Sequence, residues 1–427
     1  MLCPRTDGVA SPEQRRSLAD RLEHALHAVL DAWFPRSIDS EHGGFLTDFD
    51  FKWRPRGSHD KGIEFQGRTT WLLAHVAMAY PEQPRYREMA DHGFRFLRDV
   101  MWDEEHGGWF RLVDREGHAG EAGTKHGHGM SYALAACAAH HRLTADPESL
   151  ALAEKAFSWI DRHAHDDEHG GYYGPLLRDG TWMKTAAQNP VDGSHRDVIG
   201  TPLGCKDANT LSDLLRSFVE LDAVWPDAHL LDRIREAVAV VRDRFVTAQG
   251  AMHMFMMPDW TPVPDFARYL QTLHSSNHLR AGMRALGLEG DEHTSRVLKS
   301  MVDLVLLHGW DAKRGGFFLG GSTFGPTYLA GRSIFIDHKS WWGQAEGLTA
   351  LLELALAYPE DERCYDRRFA ELWSYIEQHL VDSRYGGWLS AGTDVAPEAR
   401  KGPKASQWRD CSHEGLALLA CIGALRR

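Results

Sequence analysis

The chain lacks any apolar run approaching the roughly eighteen residues that a membrane-spanning helix needs. Its start, MLCPRTDGVASPEQRR, lacks the apolar core of a secretory signal. Both absences predict a cytoplasmic protein that does not touch a membrane. Cysteine is scarce: Cys3, Cys137, Cys205, Cys364, Cys411 and Cys421 are scattered without a C-x-x-C pair. Such scatter suggests neither a thiolate zinc site nor a disulfide framework. Positive charge is in deficit, with 48 Lys and Arg against 60 Asp and Glu for a net −12. A surface of that sign excludes a sequence-independent grip on nucleic acid or an anionic bilayer. No Pro/Gly/Ser linker or charge run divides the chain. It therefore reads as one domain over residues 1–427, with 1–10 a flexible N-terminal segment.

What is present is a repeat. An acidic turn, two glycines and an aromatic recur as Asp39–Phe45, Asp103–Trp109, Asp166–Tyr172, Asp311–Phe317 and Asp382–Trp388. The Asp-to-Asp intervals are 103 − 39 = 64, 166 − 103 = 63, 311 − 166 = 145 and 382 − 311 = 71. The third is about twice the others, so a degenerate copy belongs inside it, and Val246–Met254 lies in the right place. Between the turns the period is helical. Ser11-Pro12-Glu13-Gln14 forms a capping box, and Leu18, Leu22, Leu26, Val29, Leu30 and Trp33 share one face. A second helix follows through Phe65, Arg68, Trp71, Leu72, Val76 and Ala79. Asp114–Gly117 and Arg178–Gly180 have the composition of tight hairpin turns. Six helical hairpins of this kind predict an all-α (α/α)6 toroid with short β-hairpin loops at one mouth. A ligand would sit in that mouth.

Histidine is abundant, at 25 residues. His42, His106 and His169 recur at one place in the repeated turns and read as turn residues. His24/His27, His126/His128 and His140/His141 match no metal-ligand spacing, so no metal is expected. His274 and His413 lie outside the turn motif near helix starts. Taken alone, each reads equally as a structural residue, and spacing does not decide. Polar groups on otherwise apolar helices are more informative, because burying them unpaired costs a few kcal/mol each. Arg68, the Asn209/Asp213 pair and the Trp342/Glu346 pair are of this kind. Aromatics beside carboxylates and amides suit a pyranose, which offers a ring face to stack and hydroxyls to bond.

Five blocks give these residues a context: Trp33–Phe45, Lys61–Trp71, Asn209-Thr210, Lys339–Glu346, and Lys401 through Trp408 to His413. From about residue 20 onward the chain resembles the N-acylglucosamine 2-epimerase superfamily, and within it the cellobiose 2-epimerases. The resemblance implies an (α/α)6 fold and a cofactor-free proton transfer at sugar C2 by two histidines, which His274 and His413 match. It implies that Arg68 holds substrate oxygens, Asn209 makes a polar contact near C2, Trp342 and Trp408 stack on the sugar, and Glu346 binds a hydroxyl. The chain departs from the family pattern in two places. Leu211 and Asp213 stand where those relatives carry histidines, and Asn277 where they pair the first catalytic histidine with glutamate. An amide stabilises an imidazolium less than a carboxylate does.

The expected function is C2 epimerisation of a reducing mono- or disaccharide through an enediolate, by a monomer or homodimer. An aldose–ketose isomerase, a glycoside hydrolase or lyase using Asp213 and Glu346, and a sugar-binding protein without activity are the other readings.

Overall fold

The computed structural model describes residues 11–323 and 335–427, with only the backbone of 328–329 and 332–333 between them. The expected flexible segment 1–10 lies outside the described residues. Twelve α-helices make up about half of the described chain: α1 (Pro12–Trp33), α2 (Ile63–Ala79), α3 (Pro84–Phe96), α4 (Gly127–Thr144), α5 (Pro147–Ala164), α6 (Ala208–Asp222), α7 (Ala228–Val240), α8 (Tyr269–Ala285), α9 (Glu292–His308), α10 (Trp341–Ala357), α11 (Tyr365–His379) and α12 (Ser412–Arg426). The Ser11–Gln14 capping box is formed, with Pro12 in the first turn. None of these helices is long and apolar enough to cross a membrane.

The helices divide into two sets by what they touch. The even-numbered ones pack in cyclic order, α2 on α4, α4 on α6, α6 on α8, α8 on α10, α10 on α12 and α12 back on α2. Each odd-numbered helix lies against one of these, α3 on α2, α5 on α4, α7 on α6, α9 on α8 and α11 on α10, while α1 covers α12. Sequence reflects the difference. Helices α3, α7 and α11 are amphipathic, whereas α2, α4 and α10 have neighbours on most sides and little contrast between faces.

The repeated turn works as a clamp. Its Gly-Gly pairs all take φ between 63° and 79°, a region costly for other residues. In each copy the turn Asp accepts the N–H groups two and three residues on, as Asp39 does from Glu41 and His42. Its other oxygen, Oδ2, accepts from a buried lysine: Lys61 on Asp39 at 3.0 Å, Lys125 on Asp103 at 2.8 Å, Lys206 on Asp166 at 2.6 Å, Lys339 on Asp311 at 2.8 Å and Lys404 on Asp382 at 2.6 Å. Four of these lysines stand two residues before an even-numbered helix, so the clamp fixes where that helix begins. The degenerate copy is real but has lost the clamp. Its turn runs Thr247 to Gly250, φ 88°, and Ala267 takes the lysine's place before α8. His42, His106 and His169 are turn residues as expected, although the capping atom belongs to the aspartate.

Two-residue strands flank the starts of these helices, Lys61–Gly62 with Leu112–Val113, Lys125–His126 with Pro175–Leu176 and Lys206–Asp207 with Phe255–Met256, all antiparallel. The two hairpin turns read from sequence are present, bridged by Val113 with Ala119 and by Leu176 with Trp182. Cys137, Cys205, Cys411 and Cys421 are free thiols, but Cys364 is disulfide-bonded, which the scattered cysteines did not suggest.

Breaking one clamp tests its weight. Lys125→Met keeps the length of the side chain but leaves the buried Asp103 without its lysine. Unfolding in urea is expected to show a loss of about 3–5 kcal/mol, the usual cost of stranding one charge of a buried pair. Arg178, which also reaches Asp103 at 2.9 Å, sets the lower end of that range.

Candidate active site

Five side chains meet because of register. Arg68, Tyr132, Asp213, His274 and Glu346 are the sixth residues of α2, α4, α6, α8 and α10, so parallel helices deliver them to one level. His413, second in α12, joins them. The imidazoles of His274 and His413 lie 5.6 Å apart between ring centroids.

Carboxylates organise this level. His274 donates through Nε2 to Asp213 Oδ1 at 2.7 Å. Its Nδ1 lies 3.2 Å from Glu346 Oε1 but off the line of a hydrogen bond. Glu346 Oε1 accepts from His413 Nδ1 at 2.8 Å, so one oxygen lies against both rings. Asp213 Oδ2 accepts from Tyr132 Oη at 3.0 Å and lies 3.1 Å from His128 Nε2. His278 rests against His274, 4.1 Å between centroids, and donates through Nδ1 to the Ser212 carbonyl.

Burial alone would strip His274 of its proton. The charges of Glu346 and Asp213 outweigh it and push the pKa up to about 10. The same contacts act on the partners: burial would raise both carboxyls, but His274, with His128 at Asp213 and His413 at Glu346, holds them well below the carboxylate range. His278 goes the other way, pushed down to about 3 by burial and then by the charge of His274.

Arg68 is buried, with Nε 2.9 Å from Asp410 Oδ2 and its guanidinium over the Tyr132 ring at 5.1 Å. Its Nη2 has no hydrogen-bond partner among the described residues, which leaves a donor in the cavity that Arg68, Tyr132, His274, Asn277, Glu346 and His413 line. Trp342 stands 5.8 Å from His413 and 6.2 Å from His274 between ring centroids. Trp408 lies just before α12, 38% exposed, with Arg111 over its ring at 5.8 Å.

Three expectations change. Asn277 does not orient His274; its Nδ2 donates to Glu346 Oε2 at 2.7 Å, so the amide steadies the shared carboxylate instead. Glu346 is engaged by two imidazoles and an amide rather than standing free for a sugar hydroxyl. Asn209, one turn before Asp213, is half-buried and does not line the cavity with the histidines. Sequence reasoning missed Tyr132, His128, His278 and Asp410. Tyr132 is legible only once the common sixth position is known, which makes an odd aromatic in α4 the counterpart of Arg68 in α2. No metal was expected, yet two donor sets lie within 4.8 Å, Asp213/His274/His278 and His274/Glu346/His413.

Two imidazoles sharing a carboxylate, with a buried guanidinium beside them in a cycle of helices, are the equipment of a sugar epimerase or isomerase. A family model described as N-acylglucosamine 2-epimerase (GlcNAc 2-epimerase) matches residues 43–191 and 213–401, and the chain belongs to that family. A cellobiose 2-epimerase of Bacteroides fragilis is 23% identical over 418 residues, covering 98% of this chain and 100% of the relative. A D-mannose isomerase of Thermobifida fusca is 24% identical over 388 residues, 85% of this chain and 86% of the relative. The solved cellobiose 2-epimerase of Spirochaeta thermophila superposes with a TM-score of 0.83 at 22% identity, over 97% of this chain and 98% of that one.

Proposed function

We propose that the protein is a single-domain (α/α)6 toroid that epimerises a reducing aldose at C2 by proton transfer between His413 and His274. The observation that carries the reading is Glu346 Oε1, held in common by both imidazoles beside the free Nη2 of Arg68. In the open-chain sugar the C2 proton is α to an aldehyde, and an imidazole whose pKa lies near the working pH is the natural base for it. His413 uses Nδ1 on Glu346, which leaves Nε2 to take that proton. Arg68 faces the enediolate oxygen, where a fixed cation in a dry cavity is worth several kcal/mol. His274, kept protonated by two carboxylates, returns a proton to C2 from the other face. In the reverse direction the two rings exchange roles. Delivery to C1 instead, with the hydroxyl proton moving from O2 to O1, yields a ketose by the same path, and the mannose isomerase relative favours keeping that outcome in view.

The hydrolase reading fares worse. Hydrolysis needs one carboxyl held protonated as the acid. Here both Asp213 and Glu346 are held ionised by imidazoles.

Proton NMR in heavy water tests the proposal. With cellobiose, glucose and mannose as candidates, at least one is expected to lose its C2 proton signal to deuterium at a rate proportional to enzyme. Release of reducing ends from an oligosaccharide without C2 exchange would reverse the assignment.

A further inference from the structure

The cavity that begins at His274 and His413 continues along the helices toward their C-terminal ends, away from the two-residue strands. Its volume is about 900 Å³, within the range of small-molecule sites. Past the imidazoles the walls carry Ala281, Leu416 and Ala420, and then a belt of four arginines, Arg142 from α4, Arg216 from α6, and Arg280 and Arg284 from α8.

Three of these guanidiniums are engaged. Arg216 holds Glu220 at 2.6 Å, Arg142 lies 3.8 Å from the same carboxylate, and Arg284 holds Glu353 at 2.6 Å. His75 also reaches Glu220, at 3.2 Å. Arg280 has no ion pair among the described residues, and its Nε is buried without an acceptor. A guanidinium in that position costs folding free energy unless something bonds it. Asp222 is a third acid on this part of the wall. Four guanidiniums thus face three carboxyls, two of which are already engaged in ion pairs.

We propose that this belt is a binding site for a tetrahedral oxyanion of the phosphate class, free or as the phosphoryl group of a small metabolite, with Arg280 as its main contact. The planar guanidinium fork suits two phosphate oxygens at once. Arg142, Arg216 and Arg284 supply the surrounding positive charge, and the apolar wall toward α12 leaves room for the rest of a metabolite. The site is distinct from the sugar-facing groups and does not rest on the epimerase reading. Because His274 and Glu346 line the inner end of the same cavity, an occupant would also add negative charge within reach of the imidazoles.

Calorimetric titration of the whole protein with inorganic phosphate at low ionic strength tests the site. Wild type is expected to bind, Arg280→Gln to bind at least tenfold more weakly, and Arg21→Gln, altered in an exposed pair with Glu377, to bind like wild type. Absence of binding to wild type, or equal binding by Arg280→Gln, overturns the proposal. A parallel titration with a hexose monophosphate separates the two sources: tighter binding than inorganic phosphate assigns the site to a phosphorylated metabolite, and equal binding to the free ion. Should Arg280→Gln not fold, phenylglyoxal labelling of wild type mapped by mass spectrometry decides. Phosphate is expected to protect Arg280, and unprotected Arg280 counts against the site.

Discussion

Replacing His413 with alanine is expected to lower kcat/KM for C2 exchange by about 10²–10⁴-fold, the range that removal of a positioned general base gives. The argument is geometric. His413 is fastened through Nδ1 to Glu346 at 2.8 Å, which turns its Nε2 away from that carboxylate and leaves it for the substrate. His274 cannot substitute, since two carboxylates keep its proton in place. The side chain is only half-buried at the edge of a cavity, so its removal creates little new void and the thermal midpoint should move by a few degrees at most. Progress curves in heavy water, alongside thermal melts, measure both quantities. A variant that melts normally and still exchanges C2 within a factor of ten of wild type would remove His413 from the chemistry.

Asp213→Asn should act through pH. In the native protein His274 holds its proton up to about pH 10, because burial is outweighed by the charges of Glu346 and Asp213. Activity that needs the imidazolium should therefore persist through neutral pH and fall on an alkaline limb. Removing one of the two charges moves that limb toward the ordinary histidine value near 6.5. Each unit of movement costs about tenfold in rate on the alkaline side, so a loss of about 10–100-fold is expected at pH 9 with much less at pH 6. The sign for stability follows from the same shift. A raised folded-state pKa contributes stability that is fully present below about 6.5 and disappears as pH rises through about 10. The variant should therefore lose more of its melting temperature at pH 6 than at pH 10. A pH–rate profile of unchanged shape, merely scaled down, would mean that Asp213 is structural and does not govern the His274 proton.

Much of this arrangement is legible in the sequence, for reasons that can be named. The Gly-Gly turns are visible because positive φ restricts residue choice, and their spacing counts the helical hairpins even where Val246–Met254 has lost the motif. The histidines stood out by lying off that repeat. The clamp lysines were not legible as such, since Lys61 or Lys339 gives no local sign that its ammonium is buried against an aspartate one hairpin turn away. The division of labour among carboxylates was equally hidden. Asn277 was expected to serve His274, and only the packing of α8 on α10 shows that its amide reaches Glu346 instead. In one dimension Asp213 is only a departure from a family histidine. In three, the carboxylate sits on the imidazole that Asn277 leaves unserved, so the two departures compensate one another.

The cover that α1 provides for α12 bears on how the chain acquires its structure. Glu23 and Asp20 bond Arg426, 403 and 406 positions further along. The last hairpin of the cycle is thus assembled from segments remote in sequence, and α1 must wait, its apolar face uncovered, until α12 has been made. Contacts so remote in sequence form slowly because a long loop must be closed before they give any return. Amputating α1 would expose the apolar side of α12, and a permutant in which α12 runs through a short linker straight into α1 should refold faster than the native order.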